Sequence, residues 1–440
     1  MKLISINPRN QRGIALLSAI LLGFIIFGFI AAWLTILYTR NKMAYLEQQK
    51  MQARYIAESG LAKLQWYLSG KDDKKLNLAE PQTWEEELFT KGGKCKFSTA
   101  FEYGFLKATC RGTNNKATSI ISAYIGLEPD SLFPEALIIW DPRNVIIGSG
   151  ATIVGDIRSH SLPINQGGVW QGRFSNGKEF PAINASSFEQ GILYFTEMLQ
   201  NPHKADQELF SAQVFDQDSD IPAQGSIYVN DNIVFTGRSE ESPLKISGPK
   251  IFLSTGDIQV SGWARLDGCT IAAMGKVSIL DEAKVTGAEI FSLREIIIAD
   301  NAKVEGKVFS QCDIIISDQA KVLGNSLVYS AGNPSGKVYI GNTASASGCV
   351  ILTGSPGIEG GLFIMDHAVV RGLAYSGNRF CLQGSVYGIA IGAKLYNPNM
   401  DSLNNNYIYG NIKRPDMTAD LLLPISFETN PKPGWMKIVK

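Results

Sequence analysis

The sequence predicts a mainly β fold: one long apolar helix leads into a coiled stack of short strands. Three observations carry this expectation. Residues Ile14–Thr39, "IALLSAILLGFIIFGFIAAWLTILYT", contain no charge. Downstream, the pattern Ala-x-apolar-x-Gly returns again and again between Ala151 and Gly372. Glycine is frequent, at 43 of 440 residues, and charged residues make up only 19%, as suits a chain that turns often.

Composition also limits function. Lys plus Arg and Asp plus Glu both number 41, so the formal net charge is zero. A general nucleic-acid binder needs a basic face that displaces counterions, so nucleic acid is not an expected partner. Six cysteines are too few for a disulfide-dense scaffold. The three histidines are His160, His203 and His367, and no Cys-x-x-Cys or His-x-x-x-His pair occurs. Neither a structural zinc site nor any other metal or cofactor is expected.

The apolar run from Ile14 would span about 39 Å as a helix, enough to cross a bilayer. Lys2, Arg9 and Arg12 precede it, while Arg40, Lys42, Lys50 and Arg54 follow it, so flanking charge does not orient it. The run passes without Gly or Pro into "NKMAYLEQQKMQARYIAES". There Leu46, Ala53, Ala57, Leu61, Leu64 and Leu68 recur at three, four or seven residues, one face of a helix spanning 14–70.

A short basic leader, residues 1–13, ends in Gly13 and is followed by Ile14 and the apolar helix. This arrangement resembles a type IV prepilin signal, and "AESGLAKL" is similar to minor pilins of the PilX type or to pseudopilins. The resemblance implies cleavage by prepilin peptidase between Gly13 and Ile14. It also implies a single span of a bacterial inner membrane, a C-terminal part that is periplasmic or at a filament tip, and pilin-like subunits as partners. The resembled family's major members carry a glutamate five residues into the mature chain, where this chain has Ser18. Without that carboxylate the resemblance points to a tip subunit or a membrane anchor.

Residues 71–128 should form a small β head. The stretch 71–93 is charged and broken by Pro81. "KCKFSTAFEYGFLKATCRGTNNKATSIISAYIGL" then reads as three short strands with turns at Tyr103-Gly104 and Thr113-Asn114-Asn115. Cys95 and Cys110 fall on the first two strands. They are either a cross-strand disulfide, if this part is periplasmic, or two buried thiols placed there by chance.

Residues 129–395 carry the repeat. Its copies are "ATIVG" at Ala151, "ARLDG" at Ala264, "AKVTG" at Ala283, "AKVEG" at Ala302, "AKVLG" at Ala320, "ASASG" at Ala344 and "AVVRG" at Ala368. "GSVYG" at Gly384 is a worn copy. Allowing for inserts such as "AGNPSG" and "TGSPGI", the unit is about 18 residues. Two more apolar bursts, such as "VFS" and "DIIIS", separate successive copies. Three short strands per unit cannot bury their own faces, but stacked coils can, which is the logic of a β-solenoid. Alternation places Ala302 and Val304 inward, with Lys303 and Glu305 outward. Val304 should then lie between Val285 and Val322.

The stretch "AKVEGKVFSQCDIIISDQAKVLG" resembles a bactofilin coil, which implies a self-polymerising β-solenoid scaffold. Residues 161–222 interrupt the solenoid, with "SSFEQGILYFTEMLQNP" and "ADQELFSAQVF" expected as two short helices. The polar tail 396–440 is expected to cover the open end of the last coil.

Asp281, Asp300, Asp318, Asn342 and Asp366 each precede a repeat alanine by two residues and should stack on one corner. They are either a cation or sugar track, or Asx turns in which each side chain satisfies its own backbone. His367 could serve as a base but is expected to be solvated. Cys269, Cys312, Cys349 and Cys381 read as small core hydrophobes. No catalytic constellation emerges, and the chain is not expected to be an enzyme. The expected role is a membrane-anchored, pilin-like structural or adhesive protein with a surface or glycan ligand. Alternatives are a membrane-tethered bactofilin-like polymer and a carbohydrate-active β-helix enzyme.

Overall fold

The computed structural model describes residues 8–68, 83–89, 93–102, 105–114, 117–127, 133–177, 186–201, 205–217, 221, 225–324, 326–332, 336–353, 360–396, 406–414 and 436–439. The head turn at Tyr103-Gly104, the middles of the two turn-like inserts and most of the tail lie outside the described residues. The chain divides into two compact units.

The first unit is built on helix α1, Pro8–Leu68, 61 residues long. Gly13 and Ile14 lie within it, and of Pro8–Leu16 only the backbone is described. Its apolar half is exposed, with Phe24 75% and Phe27 76% accessible. Its mean hydropathy reaches 2.6, and it is the one helix among the described residues long and apolar enough to cross a membrane. Past Gln49 one face turns inward: Ala53, Ile56, Ala57, Leu61, Leu64 and Tyr67 are buried at the helical spacing expected. Leu46, expected on that face, is exposed at 44%, because the packed face begins only a turn later.

What that face packs on is an antiparallel sheet of four strands: β1 (Thr83–Phe89), β2 (Gly93–Glu102), β3 (Phe105–Asn114) and β4 (Ala117–Leu127). Strand β1 arises inside the charged stretch that composition left unstructured. It pairs with β2, Trp84 opposite Phe97, and the two rings stack at 4.9 Å. Small residues set how closely helix and sheet approach. A Cβ on Gly112 of β3 would fall 2.2 Å from the Ala53 carbonyl oxygen. The C-terminal strand Met436–Val439 pairs antiparallel with the end of β4, Val439 opposite Tyr124.

The second unit contains a β-solenoid of about 11 turns spaced about 20 residues. The spacing exceeds the predicted 18 because inserts at the turns lengthen several coils. Each coil contributes parallel strands to three faces. The first face includes Ser226–Val229, Ile251–Ser254, Thr270–Ala273 and Leu327–Ser330. The second includes Ile233–Gly237, Ile258–Gly262, Val277–Ile279, Ile296–Ile298 and Ile314–Ile316. The third includes Lys245–Ser247, Arg265–Asp267 and the starts of Lys284–Ser292 and Lys303–Ser310. Val285, Val304 and Val322 stack in register and are fully buried, and Lys303 and Glu305 are exposed, as alternation predicts. The repeat glycines sit where coils touch: Gly306 has φ 147°, and a Cβ there would lie 2.1 Å from the Ala288 carbonyl oxygen.

Two expectations about the insert and tail are corrected. Among the described residues of the insert one helix forms, α2, Ser186–Gln200. "ADQELFSAQVF" instead makes the strands Gln207–Leu209 and Gln213–Phe215, paired in parallel with Ile227–Val229 and Ile233–Phe235. Phe215 stacks on Phe235 at 5.4 Å, so burial in the coil stack overrides the local helical reading. The other end of the stack is also unlike its sequence order. Leu137–Ile139, the first solenoid strand, pairs with Ala390–Gly392 of the last coil. Asn411–Lys413 of the tail sits between Ser385–Tyr387 and Thr152–Val154. The open end of the last coil is therefore covered by the chain's earliest coil, with the tail completing the turn between them.

Helix α2 covers the first face. Phe188 stacks on Tyr329 at 4.9 Å and Phe195 on Phe291 at 5.1 Å. Tyr329 and Phe291 are two strands apart in register through Phe309. Seven helical residues rise about 10 Å, close to two strand spacings, so α2 runs along the stacking direction. This explains why Leu327–Ser330 is buried at every position, with no polar alternation.

Candidate functional site

With α2 on the first face, the exposed surfaces of the solenoid are its corners and its other two faces. The corner that carries the Asp column is a set of tight turns. Asp281, Asp300, Asp318 and Asn342 all adopt φ near +60°, the region L residues enter at a cost and that Asn and Asp tolerate best. In the coil of Asp366 the positive φ falls instead on His367, one residue later, so this turn is of a different type. His367 is exposed there.

The aspartates do not satisfy their own backbone, as an Asx turn would. Asp300 Oδ2 accepts the Asp281 N–H at 3.1 Å, and Asp281 Oδ2 accepts the Gly262 N–H at 2.9 Å. Asn342 Nδ2 donates to Asp318 Oδ1 at 3.0 Å. Asp281, Asp300 and Asn342 thus tie their coils to the one before, while Asp318 accepts from the following coil and from the Ser317 hydroxyl at 2.9 Å. A parallel device runs along another corner, where Asp257 Oδ1 accepts the Lys276 N–H at 2.7 Å and Asp313 Oδ1 accepts the Lys337 N–H at 3.0 Å. The carboxylates are thus engaged as coil-to-coil acceptors. Among the described residues no group of three or more His, Cys, Asp or Glu could hold a metal ion.

A third ladder escaped the sequence reading. Ser254, Ser292, Ser310, Ser330, Thr353 and Ser376 are buried at the end of the first-face strands. Ser292 Oγ donates to the Gly275 carbonyl at 2.7 Å, Ser310 Oγ to that of Arg294 at 2.6 Å, and Ser376 Oγ to that of Arg379 at 2.6 Å. Short hydroxyls satisfy carbonyls that the bend takes out of the strand ladder. The signal was present in the hydroxyl residue ending "VFS", "VYS" and "ILT".

The solenoid thiols are poor nucleophiles. Burial pushes Cys269 up to about 11 and Cys381 up to about 12, and raises Cys312 as well. The side chain of Cys349 lies outside the described residues. In the head, Cys95 and Cys110 are both buried and stand side by side as thiols. They are in contact: the Cys110 S–H donates to the Cys95 sulfur, which lowers Cys95, while Cys110 is raised by that bond and by burial. Gly60 of α1 lies over this pair, where a Cβ would come 2.5 Å from Cys95 Sγ.

The third face presents two outward columns. One runs Lys245, Arg265, Lys284, Lys303, Lys321, each opposite the next in register and each exposed. The neighbouring column begins Ser247, Asp267, Thr286. Sequence reading placed Lys303 outward without following its equivalents Arg265, Lys284 and Lys321 in the same repeat position; Lys245 is added by the register observed here.

No protein-family model matches this chain, and no curated protein is similar to it. Among solved structures, an ice-binding protein from the Antarctic ascomycete Antarctomyces psychrotrophicus is 9% identical, covering 66% of this chain and 98% of its own, with a TM-score of 0.14. The competence-associated pilin ComZ from Thermus thermophilus is 10% identical, covering 89% and 97%, with a TM-score of 0.18. Likeness at that level carries no functional argument.

Proposed function

We propose that the chain is a membrane-anchored, pilin-like structural or adhesive protein that holds a β-solenoid outside an inner membrane. The observation that carries this reading is the division of α1. An exposed apolar half continues without a break into a half packed on a small antiparallel sheet. A span alone would need no second half, and a core helix would not leave its first half bare. In this reading the role is structural rather than catalytic, prepilin peptidase cuts between Gly13 and Ile14, and pilin-like subunits are the partners. Ser18 in place of the usual glutamate favours a tip position over a repeated one.

The test is processing. In cells with an active prepilin peptidase, the intact mass of the membrane-extracted protein should correspond to a chain beginning at Ile14. Gly13→Trp should leave the leader attached. An uncut wild-type chain in such cells removes the pilin reading and leaves a plain anchor.

A further inference from the structure

On a solvated sheet face the outward positions are expected to be polar. The second face departs from this. Four successive coils turn Ile297, Ile315, Tyr339 and Phe363 outward, each opposite the next in register. All four keep part of their surface in solvent, and Phe363 meets Tyr396 edge to face at 6.0 Å. Helix α2 and the apolar cluster it joins belong to the first face and include none of these residues. Beside the stripe runs a column of charges. Glu295 and Asp313 form its acidic half, Arg379 and Lys394 its basic half, and Lys337 and Gly361 lie between. The stripe ends one coil before Ile297, where Ser278 takes the equivalent position.

We infer that this face docks a second copy of the chain, through a two-fold axis that runs along the strands between the coils of Tyr339 and Phe363. Such an axis reverses the coil order and lays each column over itself, so the contact is isologous. Tyr339 then faces Phe363 of the second copy, and Ile297 faces Tyr396. In the charge column Glu295 faces Lys394 and Asp313 faces Arg379, while Lys337 faces Gly361. Every charge meets its opposite or a neutral residue.

The order of the charges selects the occupant. Along the stack it runs acid, acid, base, neutral, base, base, a series that is its own complement when reversed. A polyanion or a polycation would meet like charge on one half. A two-fold along the stacking direction would set the charges over Ala299, Ser317, Gly341 and Met365 on the far side of the stripe, where none finds a partner. The coils from Ile296 to Leu395 give a stripe about 29 Å long and about 15 Å wide, a contact on the order of 900 Å² in total, which belongs to the weak class. The dimer should therefore depend on concentration. The inference uses the solenoid alone and does not rest on the pilin reading.

The experiment uses the full chain in detergent micelles, followed by sedimentation equilibrium across a concentration series. Wild type should pass from monomer to dimer in the micromolar range. Glu295→Lys and Lys394→Glu should each weaken the dimer at least about fivefold, because each sets like charges opposite one another in both halves of the contact. The double variant Glu295→Lys, Lys394→Glu should recover the wild-type affinity, and a mixture of the two single variants should form the mixed dimer. Phe363→Gln, next to the two-fold, should weaken the dimer more than either charge change. Lys303→Glu, on the third face, should leave it as in wild type. Equal melting temperatures of the variants show that the solenoid is intact. A monomeric wild type, a dimer indifferent to Glu295→Lys and Lys394→Glu, or a double variant no better than the single ones would each overturn the inference. A dimer held by α1 alone gives the second of these results. None of them bears on leader processing, so the two readings fail separately.

Discussion

Asp300 accepts, through Oδ2, the backbone N–H of Asp281, its equivalent one coil earlier, at 3.1 Å. The same residue sits at φ +60°, where a Cβ is disfavoured. These two properties can be separated by mutation. Asp300→Gly loses only the intercoil bond, at about 0.5–1.5 kcal/mol. Asp300→Ala also forces a left-handed alanine and should be worse by about 1 kcal/mol. Urea unfolding followed by circular dichroism distinguishes them; equal stability of the two would mean that the conformational cost is absent.

The Val285–Val304–Val322 stack makes a sharper prediction. Val304→Asp places a charge between two apolar neighbours, with no partner. It should cost more than about 3 kcal/mol and open adjacent coils to protease. Lys303→Asp, one residue away and exposed, should stay within about 0.5 kcal/mol of wild type. Comparable protease resistance in the two variants would contradict the inward register.

Helix α2 should behave as part of the solenoid core rather than as an appendage. Phe195 is fully buried against Phe291. Phe195→Ala should destabilise by about 3–5 kcal/mol. Leu193→Ala, on the exposed side of the same helix at 66% accessibility, should change little. Hydrogen exchange of Leu327–Ser330 reports the difference, since that strand lies beneath the helix and should lose protection only in the first variant.

The head thiols give a pH and redox prediction. Cys110 has its pKa raised, so its thiolate forms only at higher pH than a free cysteine, and burial adds a barrier to reagents. Maleimide labelling of the reduced native protein should spare Cys110, and labelling after denaturation should not. If the head is exported as proposed, the adjacent pair should be oxidised to a disulfide in protein recovered from cells. A reduced pair in protein recovered from cells under thiol-trapping conditions would argue against a periplasmic head.

Much of the solenoid was legible because its signal is periodic. Ala302, Val304 and Gly306 occupy inward, inward and corner positions that any reader of alternation would assign. What escaped depends on contacts between distant segments. Gln207–Leu209 and Gln213–Phe215 look helical in isolation, and only pairing with Ile227–Val229 and Ile233–Phe235 makes them strands. Strand β1 was hidden by its charges, since Glu85 and Glu87 face solvent while Trp84 stacks on Phe97. The Asp column was visible as spacing, but its partners are backbone groups of another coil, which spacing does not reveal. The cation column was within reach of the repeat alignment, since Arg265, Lys284, Lys303 and Lys321 each follow a repeat alanine; Lys245 needed the observed register.

The pairing of Leu137 with Ala390 sets the order in which the molecule can be finished. An ordinary repeat array has low contact order and can fold from its amino end as it leaves the ribosome. Here the first solenoid strands pair on one edge with their immediate successors, Leu137 with Ile157 and Thr152 with Val169, but Leu137 meets Ala390 only once the last coil exists, more than half the chain later. The edge of this early coil that meets the last one therefore stays open through synthesis and any export, available for wrong partners. A chain truncated anywhere before Ala390 leaves that edge without its neighbour. The closing coil thus couples the two ends of the solenoid into one late, non-local step, and makes completion of the whole chain a condition for a protected stack.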